Sequence, residues 1–195
     1  EPDKPLVDAE MLYTGAHDGY ASDILAWYDL AAALGDTFPV DQDSIASVSL
    51  RLFLPIAFSD STSAFRFDVS ALADTFDVAD YPGPAPVGGD LLGFESNSTA
   101  DVVNIEIGQG WFVDRWQAGA PAALKVEQSS TESQRLIPYA SSELQLYTEL
   151  ASEVAGTVVG PILTVTFEED LGYDPVSIVP ARDLSSFQEL PAQDT

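Results

Sequence analysis

VVNIEIGQGWFVDRWQAGAPAALKVE, residues 102–127, is the stretch on which the fold turns. Val103, Ile105 and Ile107 alternate with Asn104 and Glu106, the two-residue period of a strand with one face buried. Gly108 and Gly110 end that run. Trp111, Phe112 and Trp116 follow at spacings that gather aromatics on one short helix. Gly119 stops the helix, and Leu124 and Val126 resume the alternation. The unit reads as strand, helical turn, strand. It holds two of the chain's three tryptophans, which makes it a plug at the end of a core.

The same period recurs on both sides. Residues 8–14 read as a first short strand, with Met11 and Tyr13 on one face. In residues 24–30, Ile24, Ala26 and Tyr28 oppose Leu25, Trp27 and Asp29, and residues 31–34 wind briefly into helix before Gly35. Residues 45–54 alternate without error, with Val48, Leu50, Leu52 and Leu54 against Ser47, Ser49, Arg51 and Phe53. Phe65 and Phe67 oppose Arg66 and Asp68 in the next strand. Residues 81–90, with three prolines and three glycines, form a loop, and 91–94 a short strand. Residues 135–140 are a broken strand, and Leu163, Val165 and Phe167 alternate with Ile162, Thr164 and Thr166. Residues 142–155 place Leu144, Tyr147, Leu150 and Val154 on one helical face, although Leu144, Leu146, Thr148 and Leu150 also alternate; helix is the favoured assignment.

Many short alternating strands between Gly, Pro, Asp and Ser loops predict an all-β protein, an antiparallel β-sandwich with one or two short helices. The expected organisation is an extension over 1–8, a sandwich over 9–167, and a second extension over 168–195 with one short strand at 176–179.

The chain has 32 acidic and 7 basic residues, a net charge of -25. Such a chain is repelled by phosphate backbones and by anionic lipid, which argues against nucleic acid and membrane insertion. The acidity itself fits a solvated surface, residence in salty water, or capture of cations. No cysteine is present, so disulfides and thiolate chemistry are excluded. Nowhere does an apolar run approach the roughly 18 residues of a membrane span. The chain opens at Glu1 rather than Met, as one that had lost a signal peptide would, so secretion is the expectation. Asn97-Ser98-Thr99 has the form of a glycosylation sequon.

Catalytic patterns are weak. His17 is the sole histidine and lies in a turn-rich loop, so neither a nucleophilic triad nor a His-rich zinc site takes shape. Carboxylate pairs suited to glycoside hydrolysis arise by chance in so acidic a chain. The expectation is a protein that is not an enzyme and needs no cofactor. A structural calcium is the one metal considered, with Asp18 and Asp23 in one loop region and Asp41 and Asp43 in another. Trp27, Trp111 and Trp116 are the aromatics that could stack on a sugar, with core packing the favoured role for the last two.

The order of the segments resembles the DNRLRE-type domain, a jelly-roll-like sandwich of secreted and cell-surface proteins that is similar to some carbohydrate-binding modules. The matching pieces are ILAWYDLAAAL (24–34), DSIASVSLRLFL (43–54), VVNIEIGQGWFVDRWQAG (102–119), LIPYASSE (136–143) and GPILTVTF (160–167). Ala26 and Trp27 stand where the family carries an arginine, and the chain after Phe167 lies outside the family pattern. The resemblance implies a secreted or cell-surface location and, as a ligand, carbohydrate. The favoured function class, with carbohydrate binding as the alternative, is a non-catalytic structural module and follows from strand edges, which accept strands from neighbours. Leu6 and Val7 before the sandwich, and Val176, Ile178 and Val179 after it, are the expected contacts with other copies of the chain in an extracellular filament, matrix or surface layer.

Overall fold

The computed structural model describes residues 11–35, 42–53, 66–76, 86–95, 102–129, 136–142 and 160–190. They form an all-β sandwich of two antiparallel sheets with two short helices. The larger sheet contains β1 (Met11–His17), β2 (Tyr20–Tyr28), β4 (Phe67–Ala71), β5 (Leu91–Glu95), β7 (Ala122–Gln128), β8 (Leu136–Ala140) and β11 (Arg182–Glu189). The smaller runs β10 (Val176–Ile178), β9 (Ile162–Phe167), β3 (Ile45–Phe53), β6 (Val102–Ile107). Helix α1 (Leu30–Leu34) is capped by the Asp29 carboxylate, which accepts the Ala32 N–H at 3.0 Å; α2 is Gln109–Gln117. No helix among the described residues is long and apolar enough to cross a membrane.

The alternation of the opening stretch is realised directly. Val103, Ile105 and Ile107 are buried while Asn104 and Glu106 face solvent. Val48, Leu50 and Leu52 on β3 and Leu163, Val165 and Phe167 on β9 join them, opposite Ile24, Ala26, Tyr28, Leu124 and Val126 of the larger sheet. Phe112 and Val113 of α2 are buried in this core, with Trp111 and Trp116 packed against it, so the helix is the plug its aromatics predicted. Tyr28 is fully buried, and its phenol donates to the Pro161 carbonyl at 2.8 Å, satisfying the polar end of the ring.

Strand β2 is the hub of the larger sheet. Along one side it pairs with β11 from Tyr20 to Trp27; along the other it pairs first with β1 and then with β7. The β1–β2 hairpin turns at Asp18 and Gly19, both with positive φ (48° and 83°). At Gly15, where φ is 114°, β1 leaves β2 for β8. There the Tyr13 N–H donates to Ser185 Oγ at 2.7 Å, and Ser22 Oγ donates to the Tyr13 carbonyl at 2.8 Å.

Within the stretch 168–195, expected beyond the sandwich, the described residues 168–190 supply a strand to each sheet. Strand β10 pairs with β9, and β11 with β2. Burial of Ile178 and Leu184 drives this docking, each side chain being worth about 1.5–3 kcal/mol when fully buried. Of the expected assembly residues, Ile178 is buried in the protein's own core, Val176 packs against it, and Val179 is exposed. Leu6 and Val7 lie outside the described residues, as do most of the helix expected at 142–155, the sequon at Asn97 and half of the 81–90 loop.

Strand β7 departs from simple alternation, because Ala123 and Lys125 are buried as well as Ala122, Leu124 and Val126. Its outer face is covered too. A second apolar cluster lies there, formed by Leu25, Leu72, Ala123 and Leu184 with Trp27 and Phe76 packed on it. This explains why β2 carries large side chains on both faces.

Candidate functional site

Beside that second cluster, the outer face of the larger sheet opens into a cleft of about 630 Å³, lined by β2, β4, β5, β7, β11 and the 86–89 segment. A volume of this order is that of a small-molecule site. The pleat puts alternate residues of each strand on this face, and the register aligns them across strands. Phe94 on β5 lies opposite Asp68 on β4, and Asp68 opposite Glu127 on β7. Asp23 on β2 lies opposite Ser186 on β11. A parallel row runs from Leu91 through Ser70 to Lys125. The floor is thus a carboxylate row beside a row with one cation and one hydroxyl, and Gln188 closes the β11 side.

The electrostatics follow from burial. Lys125 interrupts an apolar strand with its side chain only 10% exposed. It sits between two carboxylates, contacting Glu127 and lying 3.7 Å from Asp23. Burial pushes the Asp23 carboxyl above its ordinary value; Lys125 draws it back down, and Glu127 pushes it up again. At the other end, Arg66 Nε donates to Asp68 at 2.8 Å, and its guanidinium stacks 4.3 Å above the Phe94 ring.

The wall of the cleft depends on glycine. A Cβ at Gly88 would come within 2.7 Å of Ser70 Cβ, so the 86–90 segment seats on the sheet by backbone contact. Two hydrogen bonds hold it there: the Gly89 N–H donates to the Ala71 carbonyl at 2.7 Å, and the Ala71 N–H to the Asp90 carbonyl at 2.9 Å. Val87, 93% exposed, and Leu91 form an apolar rim.

Of the four acids considered for calcium, Asp23 alone lines the cleft. Asp18 occupies the hairpin turn, 3.2 Å from the His17 ring, and Asp43 is exposed on a 3-10 turn before β3. Asp41 lies outside the described residues. Among the described residues, no group of three or more His, Cys, Asp or Glu side chains is placed to hold one ion. The tryptophans do not form a platform either: Trp111 and Trp116 pack on the core, and Trp27 on the outer cluster.

Sequence reading overlooked Asp68, Ser70, Gln188, Lys125 and Glu127. Lys125 carried the clearest signal, a lone cation inside the apolar run AALKV of a chain with seven cations. No known protein-family profile matches the chain, and no curated protein matches it.

Proposed function

We propose that this chain is a non-catalytic module of a secreted or cell-surface protein that binds carbohydrate in the cleft on its larger sheet. The observation that carries the reading is the mixed lining of an open cleft of about 630 Å³. Carboxylates, an amide, a hydroxyl and an ammonium group match the donors and acceptors of a polyol, and the apolar rim at Val87 and Leu91 matches its C–H faces. Asp68 and Glu127 are held in ion pairs with Arg66 and Lys125, which fixes their orientation for binding. The resemblance to DNRLRE-type domains and carbohydrate-binding modules points the same way, as an analogy of fold. Electrophoresis through gels containing soluble polysaccharides tests it. At least one polysaccharide should retard the protein, and substituting the exposed rim residues Leu91→Ala and Gln188→Ala together should abolish most of the retardation. Unretarded migration in every gel would refute the reading.

Self-association as part of an extracellular assembly is the second reading, and one observation favours it. Strand β10 ends the smaller sheet, with no partner on its outer side among the described residues. Pro175 and Pro180 flank it and confine any added strand to a few residues. Because β10 and β11 belong to the sheets, removing 170–195 would damage the fold, whereas removing 1–8 spares every described strand. Light scattering should show a smaller assembly after that deletion if this reading holds. An unchanged size excludes the N-terminal segment as the connector.

A further inference from the structure

Three carboxylates in the cleft, Asp23, Asp68 and Glu127, face two cations, Arg66 and Lys125. Arg66 lies at the Phe94 end, bound to Asp68 and stacked on the ring. Lys125 serves both other carboxylates and sits far closer to Glu127 than to Asp23. It lies 3.7 Å from Asp23, whose carboxyl it also draws down. Three carboxylates against two cations leave one negative charge over, shared by Asp23 and Glu127 around the single Lys125. The charge is partly buried, where the attraction for an incoming cation is stronger than at the open surface. The rest of the lining includes the neutral Gln188 and Ser70, with Val87 and Leu91 forming an apolar rim. The complementary ligand carries one ammonium group on an otherwise neutral, hydroxyl-rich body with an apolar face.

We infer that the cleft selects amine-bearing glycan, a glucosamine-type unit whose ammonium group pairs with Asp23 and Glu127, over its N-acetylated or anionic counterparts. The inference rests on the reading of the cleft as a carbohydrate site. An N-acetyl group removes the charge that Asp23 attracts, and a uronate or sulfate meets the carboxylate row with like charge.

Calorimetric titration with fully deacetylated chitotetraose, its N-acetylated form and a tetralysine peptide tests the assignment. It is run in moderate salt, which screens the chain's general acidity, at a pH where the amine is protonated. The deacetylated tetramer should bind about tenfold or more tightly than the acetylated one. Asp23→Asn or Glu127→Gln should erase that preference, while Asp170→Asn, at an exposed acid outside the cleft, should leave it intact. Equal affinity for the two tetramers would overturn amine selection while leaving carbohydrate binding in place. Failure of both sugars to bind would overturn the amine-glycan assignment, while the polysaccharide gels decide the broader carbohydrate reading. Tetralysine binding as tightly as the amine sugar would show that the cleft reads charge alone, and the assignment of a sugar would fall.

Discussion

Replacing Gly93 by alanine should cost about 3 kcal/mol or more of folding stability, the upper range for overpacking a closely fitted site. A Cβ there would overlap the Glu106 carbonyl oxygen and lie 3.3 Å from Ile105 Cγ2. Both obstacles belong to β6, an edge strand of the opposite sheet. The Glu106 oxygen is backbone, so no side-chain rotation relieves the overlap. Strand β5 passes this close because it joins the two layers. It pairs with β4 in the larger sheet through a bulge at Val69–Ser70, and its Leu92 carbonyl accepts the Gly108 N–H at 3.1 Å. Displacing β5 also moves Leu91 and the adjoining 86–90 segment, so the variant should lose ligand binding at temperatures where it remains folded. Thermal and denaturant unfolding measure the first effect. A loss below about 1 kcal/mol would mean that β5 and β6 do not approach as described.

Lys125→Met should destabilise the protein by about 2 kcal/mol at neutral pH, a figure set below that for a fully buried pair because Asp23 and Glu127 are partly solvated. The methionine keeps the apolar stem of the side chain and removes the charge that Asp23 and Glu127 share. The effect has a characteristic pH dependence. Asp23 is raised in the folded state, so its charged form opposes folding at neutral pH. That cost is relieved as pH falls through the raised folded value, and relief is complete below the ordinary value of 3.8. Removing Lys125 takes away the largest influence that lowers Asp23, so the relief should begin at higher pH in the variant. Asp23→Asn removes the titration, and the double variant with Lys125→Met should recover part of the lost stability. Chemical denaturation of the four proteins from neutral pH to pH 4 measures all of this. A Lys125→Met penalty that did not shrink on acidification would rule out the proposed coupling.

How far the sequence determined this picture differs between strands. Residues 45–53, 102–107 and 162–167 were legible because apolar and polar residues alternate along them, with Ile162 the buried exception on its face. Strand β11 was not. In RDLSSFQE the buried residues include Asp183, Ser185 and Ser186, which composition assigns to solvent. Their partners come from distant parts of the chain. The Asp183 carboxylate accepts the Ser142 N–H at 2.8 Å and its hydroxyl at 3.0 Å, and Ser185 accepts the Tyr13 N–H. Polar burial of this kind is stabilised by contacts that have no local signature. The cleft was hidden for a related reason. Its residues come from five strands and one loop, and cross-strand register, absent from local patterning, sets them side by side. In the sequence Asp23 reads as a loop acid suited to calcium, yet it lies on β2 and shares a lysine with Glu127. The three tryptophans, prominent in the sequence, went to core and cluster packing rather than to a binding surface.

Titrating the isotopically labelled protein with oligosaccharide while following backbone amide shifts is the most direct test of the cleft as the binding site. Perturbations should concentrate at Asp23, Asp68, Ser70, Gly88, Lys125, Glu127 and Gln188, with α2 and β10 unmoved. Shifts centred on Trp111 and Trp116 or on the β10 edge, or a spectrum unchanged by every sugar, would contradict binding in the cleft.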